Sequence, residues 1–389
     1  MANTLKFGNG EWYGKKDTIL AYNDENSNYK PLPFDFSRAS SATVVNKAGL
    51  IETVGSGEPR IDFKDDAKGA LKLEPTRSNY WTYSEGSAIT LNSPLGEFGF
   101  YTINNTFLNR TITYVGTITF TFIVKKIDGT IPTITTSAGS GDLVVLVNGS
   151  SVAGVAGVLT DIGNGFYKYE LTRESSGASV ARIANQSGLD TYVSLIQYED
   201  SSYPTSYIPT QGSAVTRLAD ACNNGGNEQV FNSLEGVLYI NTATLTQLGG
   251  NRWISIHDNT GNNDIELRYT SNTNQIRCKY VIGSVAIADV FFTVTDATQF
   301  SKIAFKWASA DFALWIDGVE VATSLTGATS NIAFDELSFD ASNLGSTDFY
   351  GKTKQIQYYN TILADAELET LTSYSSLSEL VTELNLNTL

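Results

Sequence analysis

Apolar and polar residues alternate in short runs along most of the chain, which is the pattern of β-strands with one buried face. Clear examples are TITFTFIVKK at 117–126 and GFYKYELTRE at 165–174. Turns rich in Gly, Ser and Asn separate the runs at intervals that are typical of a β-sandwich. The pattern therefore predicts an all-β protein.

The stretch KIAFKWASADFALWIDGVEVAT, at 302–323, predicts two short strands followed by a hairpin. In its second strand one face carries Phe312, Leu314 and Ile316, and the opposite face carries Ala313 and Trp315. Both faces are partly apolar, so we expect this strand to lie inside a stack of two sheets. Asp317-Gly318 predicts a type I′ turn, because that turn needs two positive φ angles.

The order of these signals predicts two β-sandwich (jelly-roll) modules in tandem, an extended N-terminal arm and short C-terminal helices. Residues 1–78 are irregular and interrupted by Pro and Gly, and we expect them to form the arm. Residues 79–220 and 221–374 are predicted to form the two sandwiches, with a Gly/Asn-rich connector between them. Residues 375–389 are predicted to form a helical tail.

The tail shows helical periodicity behind a Ser376–Glu379 capping box. Its apolar stripe consists of Leu377, Leu380, Val381 and Leu384. This stripe could dock on the sandwich or on another subunit, and the pattern leaves both alternatives open.

The 389 residues carry a formal net charge of −15. This charge repels phosphate backbones, so nucleic acid is not an expected partner. No run approaches the roughly 20 apolar residues of a membrane-spanning helix, and the opening residues resemble no signal peptide. We therefore expect that the chain does not insert into a membrane and that it is synthesised in a cytoplasm. Cys222 and Cys278 are predicted to be free thiols, although a bridge between them stays open.

Sandwiches of this kind occur in lectins and in glycoside hydrolases, so paired carboxylates are the first chemistry to seek. Alternation in NNDIELRY points Asn262, Asp264 and Glu266 to one face, but an amide at Asn262 cannot act as a nucleophile. We therefore expect no enzymatic activity. Asp258, Asn262 and Asp264 could offer oxygen ligands to calcium, although such runs are also common as plain turns, and no other cofactor is expected.

Carbohydrate binding needs aromatic rings that stack on sugars and polar side chains that pair with hydroxyl groups. The second module supplies candidate rings at Trp253, Tyr269, Tyr280, Trp307 and Trp315. The same alternation that could expose a ring also builds the packing between two sheets. Each ring is therefore a candidate for the core as well as for a ligand.

Three stretches carry a recognisable combination of motifs. The first joins SRASSATVVNKAGLIETVGSGEPRIDF to GALKLEPTRSNYWTYSE, the second runs from GNGFYKYELT to TRLAD, and the third runs from KIAFKWASADF to AELETLT. Together they resemble bacteriophage tail-fibre, appendage and head-associated virion proteins that carry concanavalin A-like lectin/glucanase (laminin-G-like) domains. Four arginines fall within or between these motifs, namely Arg38, Arg60, Arg77 and Arg217. Because guanidinium groups make fork-shaped hydrogen bonds, we predict that they are structural clamps.

The resemblance implies a carbohydrate-binding-module-like sandwich at 79–220, a laminin-G-like jelly-roll at 221–374 and virion attachment through 1–78. It further implies a location in the virion, other virion proteins as partners and binding of host surface polysaccharide during adsorption. Such appendages usually work as symmetric oligomers, so we expect a homo-oligomer. A capsid decoration or adaptor protein without glycan binding and a polysaccharide depolymerase stay as alternatives.

Overall fold

The computed structural model describes residues 4–24, 27–112, 114–136, 141–147, 157–176, 179–247, 250, 252–341 and 347–383. These residues form mostly β-strands, with two short helices at the C-terminal end, which confirms the predicted all-β class. The chain divides into two compact units. Unit 1 comprises Met1–Ala39, Ser56–Pro75 and Asp220–Leu389, and unit 2 comprises Ser40–Gly55 and Thr76–Ala219.

The strands alternate between the units along the chain. Unit 1 begins with β1 (Leu5–Gly8), β2 (Gly14–Lys15), β3 (Thr18–Ile19), β4 (Tyr22–Asn23), β5 (Lys30–Pro31) and β6 (Phe34–Ser37). Unit 2 begins with β7 (Ala42–Val45) and β8 (Ile51–Val54), and unit 1 resumes with β9 (Ile61–Asp62) and β10 (Ala70–Leu73). Unit 2 continues with β11 (Arg77–Asn79), β12 (Ile89–Ser93), β13 (Gly96–Ile103), β14 (Phe107–Ile112), β15 (Val115–Lys126), β16 (Ile134–Thr135), β17 (Leu143–Leu146), β18 (Val158–Gly163), β19 (Phe166–Ser176), β20 (Ser179–Asn185), β21 (Thr191–Glu199) and β22 (Val215–Arg217). Unit 1 ends with β23 (Ala221–Asn223), β24 (Gly236–Thr244), β25 (Arg252–His257), β26 (Asp264–Tyr269), β27 (Gln275–Ile282), β28 (Val285–Thr293), β29 (Ser301–Trp307), β30 (Phe312–Ile316), β31 (Val319–Ser324), β32 (Glu336–Ser338), β33 (Gly351–Tyr359), α1 (Asp365–Thr372) and α2 (Leu377–Glu383).

Unit 1 is a β-sandwich whose two main sheets share one apolar core. The larger sheet has the order β31-β30-β29-β24-β33-β1-β4-β5, with β10 and β9 attached to β33, and the smaller has the order β28-β27-β26-β25-β32. Alternate residues of β30, including Leu314, and of β26, including Leu267, meet in this core. Asp317 and Gly318, which link β30 to β31, have φ angles of 50° and 85°, as the predicted type I′ turn requires.

The N-terminal segment contributes strands to the same sandwich. Strand β1 pairs antiparallel with β33, where Leu5 lies opposite Tyr358, and β6 pairs with β23, where Phe36 lies opposite Cys222. Residues 1–39 and 56–75, which fall inside the segment predicted as an arm, are therefore part of unit 1. These strands find partners far away in the sequence, and local alternation carries no signal for such pairing.

Helix α1 covers the outer face of the larger sheet. Leu368 of the helix packs with Ala313 and Trp315 of β30, which explains why both faces of this strand are apolar. In α2, the Ser376 hydroxyl accepts the N–H of Glu379, and the Glu379 carboxylate lies 2.6 Å from Lys302 Nζ. This ion pair places the described part of the tail on unit 1, while Leu384 lies outside the described residues. No described helix is long and apolar enough to cross a membrane.

Both cysteines are buried free thiols in the core of unit 1. Cys222 lies on β23 and Cys278 on β27, and the bridge that the sequence left open is not formed. Burial raises the pKa of both thiols well above the ordinary value. Both are therefore protonated and inert at neutral pH.

Four charged side chains form a fully buried cluster in unit 1. Asp220 contacts Arg38 at 2.9 Å and also pairs with Arg60, and Arg60 Nη1 lies 2.5 Å from Glu74. The Asp220 carboxylate additionally accepts the backbone N–H of Glu74 at 2.8 Å. Arg38, the Arg60–Glu74 pair and Asp220 come from the three separate segments of unit 1, so the cluster joins all three.

Unit 2 is a second β-sandwich. Its larger sheet has the order β12-β13-β21-β15-β19-β18, with β11 and β22 attached to β21, and its smaller sheet has the order β14-β20-β17-β16. Phe120 and Phe122 of β15 pack in the core with Ile183 of β20. A second apolar cluster, which includes Phe100 and Ile123, covers part of the opposite face of the larger sheet.

Asp220→Asn is expected to destabilise unit 1 by about 3–5 kcal/mol, because it leaves two buried guanidinium groups without their shared carboxylate. Urea unfolding followed by tryptophan fluorescence measures this, since Trp12, Trp253, Trp307 and Trp315 all lie in unit 1. The matched control is Asp289→Asn, which removes the half-exposed pair with Arg277 and should cost about 1 kcal/mol or less. Equal unfolding midpoints for both variants would contradict a stabilising role of the cluster.

Candidate functional site

Four of the five aromatic residues considered as sugar platforms are buried in unit 1. Tyr269, Tyr280 and Trp307 lie in the core between the sheets, and Trp315 lies beneath α1. The Trp307 indole donates to the carbonyl of Asn232 at 3.2 Å, so its polar atom is also satisfied within the protein. These rings build the packing between layers, which was the alternative interpretation, and none offers a face to a ligand.

Trp253 is the fifth candidate and lies on the outer face of the smaller sheet in unit 1. It is half-buried, and the Arg268 guanidinium lies 4.6 Å from its ring centroid. Tyr269 and Tyr280 point to the opposite, inner face of this sheet. The structure therefore does not bring the five aromatic residues together into one surface.

The polar loop considered for calcium is held by its own hydrogen bonds. Asp258 accepts from the backbone and hydroxyl of Thr260 at 3.0 and 2.6 Å and from the Asn263 amide at 2.6 Å. Burial opposes ionisation, but these bonds outweigh it and lower the pKa of Asp258. Asn262 Oδ1 accepts the Ser284 hydroxyl at 2.7 Å. Within the described residues, no group of three His, Cys, Asp or Glu side chains could hold a metal ion.

Asp264 and Glu266 are buried on the outer face of the smaller sheet, on the side opposite the core. Burial raises the pKa of Glu266, although Arg268 Nη1 at 3.6 Å and Lys279 Nζ at 3.8 Å oppose this change. The two cations are the partners that a buried carboxylate needs. This arrangement gives Glu266 a structural role. Position 262 carries the amide of Asn262, so it offers no carboxylate for a catalytic pair.

A cluster of acidic groups lies beside His257 on the same sheet. Asp340 is buried near Asp348 and Glu336, and burial together with these two charges raises its pKa to about 6. His257 Nδ1 accepts the N–H of Asn259 at 3.2 Å, so the neutral ring carries its proton on Nε2, 3.4 Å from Glu336. Burial lowers the pKa of His257 in spite of Glu336, so the imidazole does not neutralise the acidic cluster at pH 7.

Arg77 and Arg217 lie opposite each other on β11 and β22 of unit 2. Arg217 Nη1 donates to the Ser206 carbonyl at 3.3 Å, and Arg77 Nη1 donates to the Thr76 carbonyl at 2.8 Å. The Arg77 guanidinium also lies 5.5 Å from the ring centroid of Tyr203. These two arginines, like Arg38 and Arg60, bind protein groups, and none of the four lines a described cavity.

Unit 2 contains a groove of about 790 Å³, which is within the size range of small-ligand sites. It is lined by Tyr83, Glu85, Gly86, Ser87, Tyr101, Pro209, Thr210, Gln211 and Val215. None of these residues belongs to the candidate sites predicted from the sequence. We refer to this feature as the unit-2 groove.

One wall of the unit-2 groove is the segment 83–87, which lies tightly against β13. The N–H of Gly86 donates to the carbonyl of Gly99 at 3.0 Å. A Cβ atom at Gly86 would lie 2.1 Å from the backbone nitrogen of Tyr101, so only glycine allows this approach. Next to the lining residue Gln211, Gly212 donates its N–H to the Thr82 carbonyl at 2.6 Å.

Tyr83 presents an aromatic ring at the unit-2 groove and is 47% exposed. The Arg110 guanidinium lies 5.5 Å from the centroid of this ring and 5.3 Å from that of the buried Trp81. The Tyr101 hydroxyl donates to the Tyr83 carbonyl at 3.0 Å. These contacts support Tyr83, which stays accessible at the groove.

Polar groups surround this platform. Glu85 Oε1 accepts a hydrogen bond from the Tyr207 hydroxyl at 3.0 Å. The pKa of Tyr207 is strongly raised, mainly because the residue is removed from water and also because of the charge of Glu85. Tyr207 is therefore protonated and acts as a fixed donor to Glu85. Ser87 and Gln211 line the groove with exposed side chains that can donate and accept hydrogen bonds.

The sequence contains one signal for this site, the cluster of Tyr80, Trp81 and Tyr83 in a stretch without strand alternation. That signal does not tell which ring is exposed. Trp81 is fully buried and Tyr83 is accessible, and this difference arises from contacts with residues as distant as Gln211.

No protein-family model matches this chain, and no curated protein sequence matches it. Among solved structures, it is similar to the CBM40 module of the Ruminococcus gnavus IT-sialidase bound to α2,3-sialyllactose, with 16% identity over 38% of this chain and 86% of that chain and a TM-score of 0.32. It is also similar to domain 4 of AbnA, a GH43 arabinanase from Geobacillus stearothermophilus, in complex with arabinotriose, with 14% identity over 45% and 84% and a TM-score of 0.32.

A third likeness is to the Trypanosoma rangeli sialidase in complex with the inhibitor DANA, with 12% identity over 92% of this chain and 66% of that chain and a TM-score of 0.31. These are carbohydrate-binding or sialidase/glycosidase structures. Their TM-scores are too low to carry an argument about ligand or reaction. The sandwich architecture rests on the sheets of the chain itself.

Asp340→Asn is expected to stabilise unit 1 at pH 7 by about 1–2 kcal/mol, with solvent screening taken into account. A carboxyl group whose folded pKa is raised from 3.8 to about 6 costs stability as the pH rises through this window, and an amide avoids that cost. Urea unfolding of wild type and variant at pH 4 and pH 7 measures the effect. The two proteins should be equal at pH 4 and differ at pH 7, and a constant difference would contradict the titration of Asp340.

Proposed function

We propose that this chain is a non-enzymatic structural protein of a bacteriophage virion, and that it binds host surface glycans through the unit-2 groove. The observation that carries the glycan part is the supported, 47% exposed ring of Tyr83 beside polar side chains. An aromatic ring of this kind can stack on the apolar face of a sugar, while neighbouring amide, hydroxyl and carboxylate groups pair with its hydroxyls.

The groups that line the unit-2 groove support the non-enzymatic part of the proposal. Glu85 is the single carboxylate among the described lining residues, whereas a glycoside hydrolase generally needs two carboxylates about 5–9 Å apart. The virion part rests on the resemblance of the sequence motifs. We further propose that the chain acts as a homo-oligomer attached to other virion proteins, since multivalency turns weak single contacts into useful avidity.

Tyr83→Ala is expected to weaken glycan binding at least about tenfold, because it removes the stacking platform and leaves the sandwich core unchanged. The measurement is binding of the purified full chain to a glycan array and to polysaccharide from candidate host bacteria. The matched control is Tyr13→Ala, which removes a tyrosine that is 61% exposed in unit 1 and should leave binding unchanged.

An assay for reducing ends released from the same polysaccharides completes the test. Saturable binding that depends on Tyr83 without release of reducing ends supports the proposal. Release of reducing ends would favour the depolymerase alternative, and absence of binding to any glycan would favour a decoration or adaptor protein.

A further inference from the structure

We infer that Glu85 makes the unit-2 groove select against glycans that carry negative charge. This inference rests on the proposed function, because it names the ligand class of the same groove. It depends on where the charges at the groove lie and on which of them face a ligand.

Glu85 contributes the charge that lines the unit-2 groove. No described lining residue is a lysine, an arginine or a histidine. Arg110, the cation that packs on Tyr83, does not line the groove, and its Nη1 donates to the carbonyl of Asn109 at 2.7 Å. The guanidinium contacts the lining residues Tyr83 and Tyr101 without lining the groove itself, and among the described lining residues the charged group is the Glu85 carboxylate.

The Glu85 carboxylate is oriented by a single described hydrogen bond, from the Tyr207 hydroxyl to Oε1. A carboxylate accepts up to about four hydrogen bonds, so Glu85 keeps acceptor capacity for sugar hydroxyls. A carboxylate or phosphate on the ligand would instead meet a like charge in a partly desolvated groove. The net charge of −15 adds repulsion of the same sign at longer range, which salt screens.

The test compares acidic polysaccharides with the same polymers after their carboxylates have been reduced to alcohols. The probes are hyaluronan and polygalacturonate, each in native and carboxyl-reduced form, together with neutral chitin oligosaccharides and a broad glycan array. For polymers that bind, we expect the wild-type chain to prefer the reduced form at least about tenfold at low salt, and less at high salt.

Glu85→Gln should lower this preference about tenfold, because the amide still accepts from Tyr207 but carries no charge. Glu97→Gln is the matched control, since it removes the same charge from an exposed position of β13 that does not line the groove. It should leave the preference unchanged.

The outcomes separate the two proposals. Equal binding of native and reduced polymers by the wild type would overturn the proposed selectivity, and so would a preference that Glu85→Gln does not change. In both cases the proposal of glycan binding would still hold. If the wild type binds none of these probes and nothing on the array, glycan binding itself fails and the selectivity fails with it.

Discussion

The ion pairs of Asp220 hold together the three chain segments from which unit 1 is built. One carboxylate pairs with Arg38 of the first segment and with Arg60 of the second, and it accepts the backbone N–H of Glu74. Because all four side chains are removed from water, an incomplete cluster would cost more free energy than none at all. The cluster therefore requires that all three segments be in place together, which ties distant parts of the sequence to one sandwich.

The shape of the unit-2 groove depends on close contacts between backbone segments. Gly86 lets the segment 83–87 lie against β13 at a distance that no side chain permits, and Arg110 packs on the ring of Tyr83. Glu85 is then oriented by Tyr207, a partly buried tyrosine that stays protonated. A rigid platform with pre-positioned polar groups loses little conformational entropy on binding, which suits recognition of weakly bound ligands such as sugars.

The two units use aromatic residues in different ways. In unit 1, Tyr280 and Trp307 fill the space between sheets, and Trp315 packs under α1. In unit 2, Trp81 is buried in the core, while Tyr83, two positions further along the chain, stands at the groove. Residue type alone is therefore a poor guide to ligand contact, because burial is decided by what lies opposite each ring.

Local patterns in the sequence determined the all-β class, the short C-terminal helices and the Asp317-Gly318 turn, because alternation and turn preference act between near neighbours. Only the tertiary structure decided that β1, β4 and β5 join the sheet of β33, and that Tyr83 rather than Trp307 is accessible. Strand pairing and burial depend on contacts between residues hundreds of positions apart. A single strand looks the same in sequence whichever partner it finds.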